Sequence, residues 1–107
     1  MFFLMTCEHH PNKDAARDEH RPKHREWVRS GGDGVAVVLV GSATLNDDGT
    51  TRGNFGILEA ESLEKAMAFA EGDPFAKAGI VKVISMTPLP DTFQAHRISD
   101  PMTVRQG

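Results

Sequence analysis

The run Val35-Ala36-Val37-Val38-Leu39-Val40 is apolar at every position and lies between Gly34 and Gly41. It is short, rich in β-branched residues and bounded by glycines, which favours a strand over a helix. Side chains alternate between the two faces of a strand, so a run apolar in both alternating sets is buried on both faces. Helices can cover one face of the sheet this strand joins. Something else must cover the other, because a large exposed apolar sheet is not tolerated. With 107 residues the chain has enough for one domain and its core, but not for two. A second copy packed sheet to sheet meets the need, and the pattern therefore predicts a homodimer, with further assembly left open.

The rest of the chain supplies the partners of that strand. Phe2 to Cys7 reads as a first strand, and the polar stretch His9 to Arg21 as a loop with one helical turn near Asp14 to Asp18. Pro22 lacks an N–H and suits the first helical position, so the first main helix is expected from Pro22 to Ser30, stopped by Gly31-Gly32. Asn46-Asp47-Asp48-Gly49 is a turn signal that joins the apolar run to a third strand, Arg52 to Ala60. Ser62 is an N-cap for a helix whose Leu63, Ala66, Met67 and Ala70 recur at helical spacing until Gly72. Asp73-Pro74 opens a short helix closed by Gly79, and Ile80 to Thr87 is a last strand terminated by Pro88 and Pro90. The order predicts an α+β, ferredoxin-like βαββαβ fold: a four-stranded antiparallel sheet with two main helices on one face. Residues 1–89 form that domain. Residues 90–107 are a tail or arm that can cross a partner subunit or cover a cleft, bringing His96 and Arg97 toward a site.

Composition excludes several functions. A formal net charge of -3 argues against nucleic acid as a partner, since phosphate binding normally needs a basic surface. Cys7 is the one cysteine, so there is no intrachain disulfide or cysteine-rich zinc site. Met1 to Met5 is too short for a membrane span or a signal core, and a cytoplasmic setting is expected. Cys7, Glu8, His9 and His10 gather near a strand end, but adjacent strand residues point to opposite sides and read better as surface groups. His20 and His24 have helical ligand spacing, yet Pro22 between them places His20 before the helix. Gly31-Gly32-Asp33-Gly34 fits no phosphate loop, and there is no haem-attachment motif. Neither a metal nor a cofactor is expected.

On the first helix His24, Trp27 and Val28 share a face, which should look inward, while Arg25, Glu26 and Arg29 point elsewhere. Asp73 before Pro74 is, taken alone, what a helix cap looks like. Arg17 and Arg21 stand among Asp14, Asp18, Glu19 and Glu26, as in a solvated face, and are candidate anchors for an anionic substrate at a cleft mouth.

Three segments carry a resemblance to a known family: Arg21-Pro22-Lys23-His24, the hairpin from Val40-Gly41 through Asp48-Gly49 to Gly56-Ile57-Leu58-Glu59-Ala60, and Gly72-Asp73-Pro74-Phe75 continuing to Ala78-Gly79. In this order they resemble the YciI-like (YCII-related) family of the dimeric α+β barrel superfamily. The resemblance implies a dimeric α+β barrel assembly and places the family's proposed active-site pair on His24 and Asp73. Family members often carry tyrosine after Asp-Pro, where this chain has Phe75. Trp27 and Phe75 are then candidate apolar walls of a substrate pocket. The expected function is a small cofactor-independent enzyme using the His-Asp pair for proton transfer on a small cyclic or aromatic metabolite, of isomerase, lyase or dehalogenase type. The alternative is a non-catalytic dimeric ligand-binding or accessory module, in which the tail matters more than the pair.

Overall fold

A computed structural model describes residues 1–105. The elements are β1 (Phe2–His9), α1 (Asp14–Gly34), β2 (Val37–Leu45), β3 (Thr51–Glu59), α2 (Leu63–Gly72), α3 (Pro74–Lys77) and β4 (Val81–Leu89), followed by a short 3₁₀ turn, Ala95–Arg97. The strands form one antiparallel sheet in the order β2-β3-β1-β4. This is the expected βαββαβ α+β fold. No helix among the described residues is long and apolar enough to cross a membrane.

β1 and β3 lie inside the sheet, and their alternate residues build the core. Phe3, Met5, Cys7 and His9 are buried on the helix side, with Phe3 opposite Leu58. Between β2 and β3 the register jumps from Val38–Leu58 to Val40–Ile57, so Leu39 is an inserted residue, and Val38 and Leu39 are both buried. Such a bulge bends the strand and turns neighbouring side chains away from strict alternation. β4 is an edge strand and runs through Pro88, paired with Phe3, instead of stopping before it. An edge position tolerates the missing N–H.

α1 departs most from expectation. It begins at Asp14, not Pro22, and Pro22 sits inside it. A proline in a helix interior costs about 3 kcal/mol. Here side chains on both sides of it are fastened: Arg17 is buried against β1, and His24 is bound to Asp73. Tertiary contacts on each flank thus outweigh one lost backbone bond. His20 and His24 consequently lie on one continuous helix. No group of three or more His, Cys, Asp or Glu able to hold a metal occurs among the described residues.

The helical conformation ends at Ser30, where Gly31, Gly32 and Asp33 turn left-handed with φ of 64°, 64° and 61°. A Cβ at Gly32 would stand 2.7 Å from the Trp27 ring, and one at Gly72 would stand 2.6 Å from it. Trp27 is therefore clasped between two glycines of different elements, and its indole N–H donates to the Phe69 carbonyl at 3.0 Å. This clasp sets α1 against the α2–α3 junction. On α2 the buried side chains are Ala66, Phe69 and Ala70, while Leu63 is exposed.

The tail is fastened to the domain. Phe93 packs on Phe2 with ring centroids 5.4 Å apart, and Phe2 alternates with the core residue Phe3, so the tail crosses the helix-free face of the sheet. At the far edge Thr103 is buried against β2 and α1. Its N–H donates to the Val38 carbonyl, its hydroxyl accepts from the Val38 N–H at 2.8 Å and donates to the Val28 carbonyl at 2.7 Å. Part of the face that the sequence pattern assigned to a second copy is thus covered by the chain itself. The final two positions of the 90–107 segment lie outside the described residues.

Candidate active site

Asp73 ends α2 and caps α3. Its extended backbone turns the carboxylate back over the first turn of α3, where Oδ1 accepts from the Phe75 N–H at 2.9 Å. The same oxygen accepts from His24 Nδ1 at 2.8 Å. The pairing follows from the Trp27 clasp: Trp27 holds Gly72 one residue before Asp73, and His24 lies one turn before Trp27. The His24 ring lies flat on Phe75, with centroids 4.1 Å apart and planes 2° from parallel. A carboxylate accepts only, so the imidazole keeps its hydrogen on Nδ1. In the neutral ring Nε2 then carries the lone pair. It has no hydrogen-bond partner among the described residues, and it is not sealed from solvent.

His24, Asp73 and Phe75 form one side of a cleft of about 280 Å³ between α1, the start of α3 and the helix side of the sheet. The β2–β3 hairpin supplies the floor through Gly41, Gly53, Asn54 and Gly56, and Met102 of the tail closes one edge. Arg17 and Arg21 line the cleft. Arg17 is buried and paired to Asp14, and Arg21 is paired to Asp18 at 2.5 Å. Both cations therefore arrive already partnered. Arg25, expected to point elsewhere, also lines the cleft, and no carboxylate partner for it occurs among the described residues.

Two expected positions are corrected. Trp27 is not a wall of the cleft, because the glycine clasp and the bond to Phe69 turn it into the helix packing. His96 and Arg97 do not reach the cleft; they are exposed on the 3₁₀ turn, and Met102 is the tail residue that arrives.

His9, read from sequence as a surface group, is buried in the cleft wall. Its Nδ1 accepts from Arg17 at 3.2 Å, and its Nε2 faces Asn54 Oδ1 at 2.8 Å. The ring meets Phe75 edge-on at 5.9 Å. Burial holds its pKa below the usual histidine value; the Asn54 bond opposes this shift and the nearby Arg17 charge reinforces it. The signal for its burial lay in the alternation of Phe3, Met5, Cys7 and His9, which runs two residues beyond the expected strand end. Cys7, just beneath, has its thiol pushed up to about 12, by burial first and then by the Asp73 charge. It stays protonated at neutral pH and is no nucleophile.

An antiparallel four-stranded sheet with helices packed on it is the βαββαβ fold found in the dimeric α+β barrel class. Within that class the chain belongs to the YCII-related domain family, whose model matches residues 1–90. Among solved structures it is similar to 5-chloro-2-hydroxyhydroquinone dehydrochlorinase (TftG) from Burkholderia phenoliruptrix AC1100, a structure in complex with 2,5-dihydroxybenzoquinone. The two share 28% identity with a TM-score of 0.71, over 84% of this chain and 94% of that one. No curated protein matches the chain. The tail that brings Met102 and Thr103 to the domain lies beyond the family match.

Proposed function

We propose that the protein is a small cofactor-independent enzyme in which His24 transfers a proton to and from a small cyclic or aromatic metabolite and Asp73 orients it. The observation that carries this reading is the 2.8 Å bond from His24 Nδ1 to Asp73, which leaves Nε2 unpartnered at the cleft. In the proposed step Nε2 takes a proton from a ring substituent or ring carbon. The electron pair left behind either expels a group from a neighbouring carbon or shifts a double bond. The Asp73 carboxylate stabilises the imidazolium formed, which later returns the proton. Phe75 supplies an apolar wall, and Arg25, which has no carboxylate partner among the described residues, makes the mouth favourable to an anionic substrate. The likeness to a dehydrochlorinase that binds a dihydroxybenzoquinone favours substituted hydroquinones as the first substrates to test.

The test is product formation from a panel of chlorinated and unchlorinated hydroquinones by the native protein and by His24→Asn. A general base normally contributes about 10²–10⁴-fold, so the variant should lose at least about a hundredfold in kcat. Equal turnover by the two proteins would reject the assignment.

One observation favours the alternative of a ligand-binding or accessory module: the Asp73 carboxylate already has a structural role as the cap of α3. Saturable binding of panel members without turnover by the native protein would select that reading.

Self-association through the helix-free face belongs to the same proposal. Val40 is exposed there in one row with half-buried Ile57 and Leu4, beside half-buried Phe55, an apolar patch on that face. Sedimentation equilibrium should give a dimer mass, and a monomer at all accessible concentrations would remove this part.

A further inference from the structure

The hydrogen-bond chain Arg17–His9–Asn54 admits one assignment of its hydrogens. A guanidinium only donates, so the His9 Nδ1 that faces Arg17 must be the acceptor. His9 is then neutral with its hydrogen on Nε2, and it donates to Asn54 Oδ1. Flipping the Asn54 amide would set its N–H against the His9 N–H. Moving the His9 hydrogen to Nδ1, or adding a second one, would set an N–H against Arg17. Both reversals oppose donor to donor, and the lowered His9 pKa agrees with the neutral ring.

Asn54 Oδ1 is thereby committed, and the amide nitrogen Nδ2 is left over. It has no hydrogen-bond partner among the described residues, it is not sealed from solvent, and Asn54 lines the cleft. Its backbone is held on both sides, opposite Cys7 of β1 and Ala43 of β2, inside the sheet. The donor is therefore fixed in identity by the chain behind it and in position by the sheet, as a group prepared for charge in a bound molecule must be.

We propose that Asn54 Nδ2 is the donor that holds an oxyanion, a phenolate or enolate oxygen, of the molecule bound in the cleft, with His9 and Arg17 as positioning residues. This deepens the proton-transfer reading and rests on it for its catalytic meaning: removing a proton from a ring hydroxyl or from a carbon beside a carbonyl places negative charge on oxygen. The oxygen accepts from Nδ2 while the proton resides on His24 Nε2, so the two groups divide the separated charges.

The test uses 4-nitrophenolate, whose absorbance reports its ionisation and binding. Dissociation constants are measured for the native protein, Asn54→Asp and Asn54→Ala. Asn54→Asp keeps the acceptor for His9 but replaces the donor by a second acceptor, and binding should weaken at least about tenfold. Asn54→Ala should weaken it in the same direction, and His24→Asn, assayed on the hydroquinone panel, should lose turnover. In the native protein ¹⁵N NMR should show His9 protonated at Nε2, a readout independent of any variant's folding. Equal affinity in Asn54→Asp, no binding of the phenolate by the native protein, or a His9 hydrogen on Nδ1 would each overturn the donor assignment. Loss of turnover in His24→Asn with unchanged binding in Asn54→Asp would reject Asn54 and leave the His24–Asp73 pair standing.

Discussion

A single oxygen of Asp73, Oδ1, accepts both the Phe75 backbone N–H at 2.9 Å and the His24 ring N–H at 2.8 Å. One bond belongs to the helix cap and the other to the imidazole. Substitution can separate them. Asn caps a helix about as well as Asp and keeps an oxygen at this position, whereas Ala loses the cap at about 1 kcal/mol. Asp73→Asn should therefore leave the urea midpoint nearly unchanged while lowering kcat. Asp73→Ala should lower both. Equal activity in the native protein and Asp73→Asn would mean that the carboxylate serves the cap alone.

His9 makes stability depend on pH. Its folded-state pKa lies below the ordinary 6.5, with burial as the main cause. Between the folded and unfolded values the unfolded chain binds more protons, so stability rises with pH in that window. The contribution is complete above about 6.5 and is lost as pH falls below it toward the folded value. Urea denaturation from about pH 8 to about pH 5 should show the native protein weakening on the acid side, with a shallower decline in His9→Gln. Parallel declines would remove His9 as the cause.

Cys7 gives a prediction of opposite kind. A buried thiol with its pKa near 12 presents almost no thiolate at neutral pH. Iodoacetamide at about pH 8 should label the folded protein very slowly and the urea-unfolded chain readily. Rapid labelling of the native state would show that the sheet around Cys7 opens often.

Much of this arrangement was legible in the sequence, and the failures share a cause. The Asn46–Gly49 turn and the caps at Ser62 and Asp73 are local signals, and each appears where its chemistry places it, whereas the Val35–Val40 run enters its strand only at Val37 and leaves Val40 exposed. Pro22 misplaced the start of α1 because the contacts that outweigh it, those of Arg17 and His24, come from β1 and from the α2–α3 junction. His9 carried a readable signal in its alternation with Cys7, masked by the polar residues around it. Trp27 shares a helix side with His24, but the glycines that capture it lie in the α1 turn and at the end of α2. Met102 and Thr103 had no local signal, since the Val38 and Val28 groups that hold Thr103 lie 65 and 75 residues away along the chain.

Thr103 tests whether the tail is part of the domain. Its hydroxyl satisfies the Val38 N–H and the Val28 carbonyl, both close to the cleft. Thr103→Val keeps the shape and strands these groups, which should cost about 1–3 kcal/mol. Calorimetry should show a lower Tm. An unchanged Tm would mean that the tail rests on the domain without contributing to it.

The most direct measurement of the central claim is hydrogen exchange at carbon. A substituted hydroquinone is incubated in D₂O with the native protein and with His24→Asn, and ring-proton loss is followed by NMR. Exchange accelerated by the native protein and abolished in the variant is the expected result, because a base at Nε2 must carry that proton. Exchange accelerated equally by the two proteins would contradict His24 as a proton-transfer group.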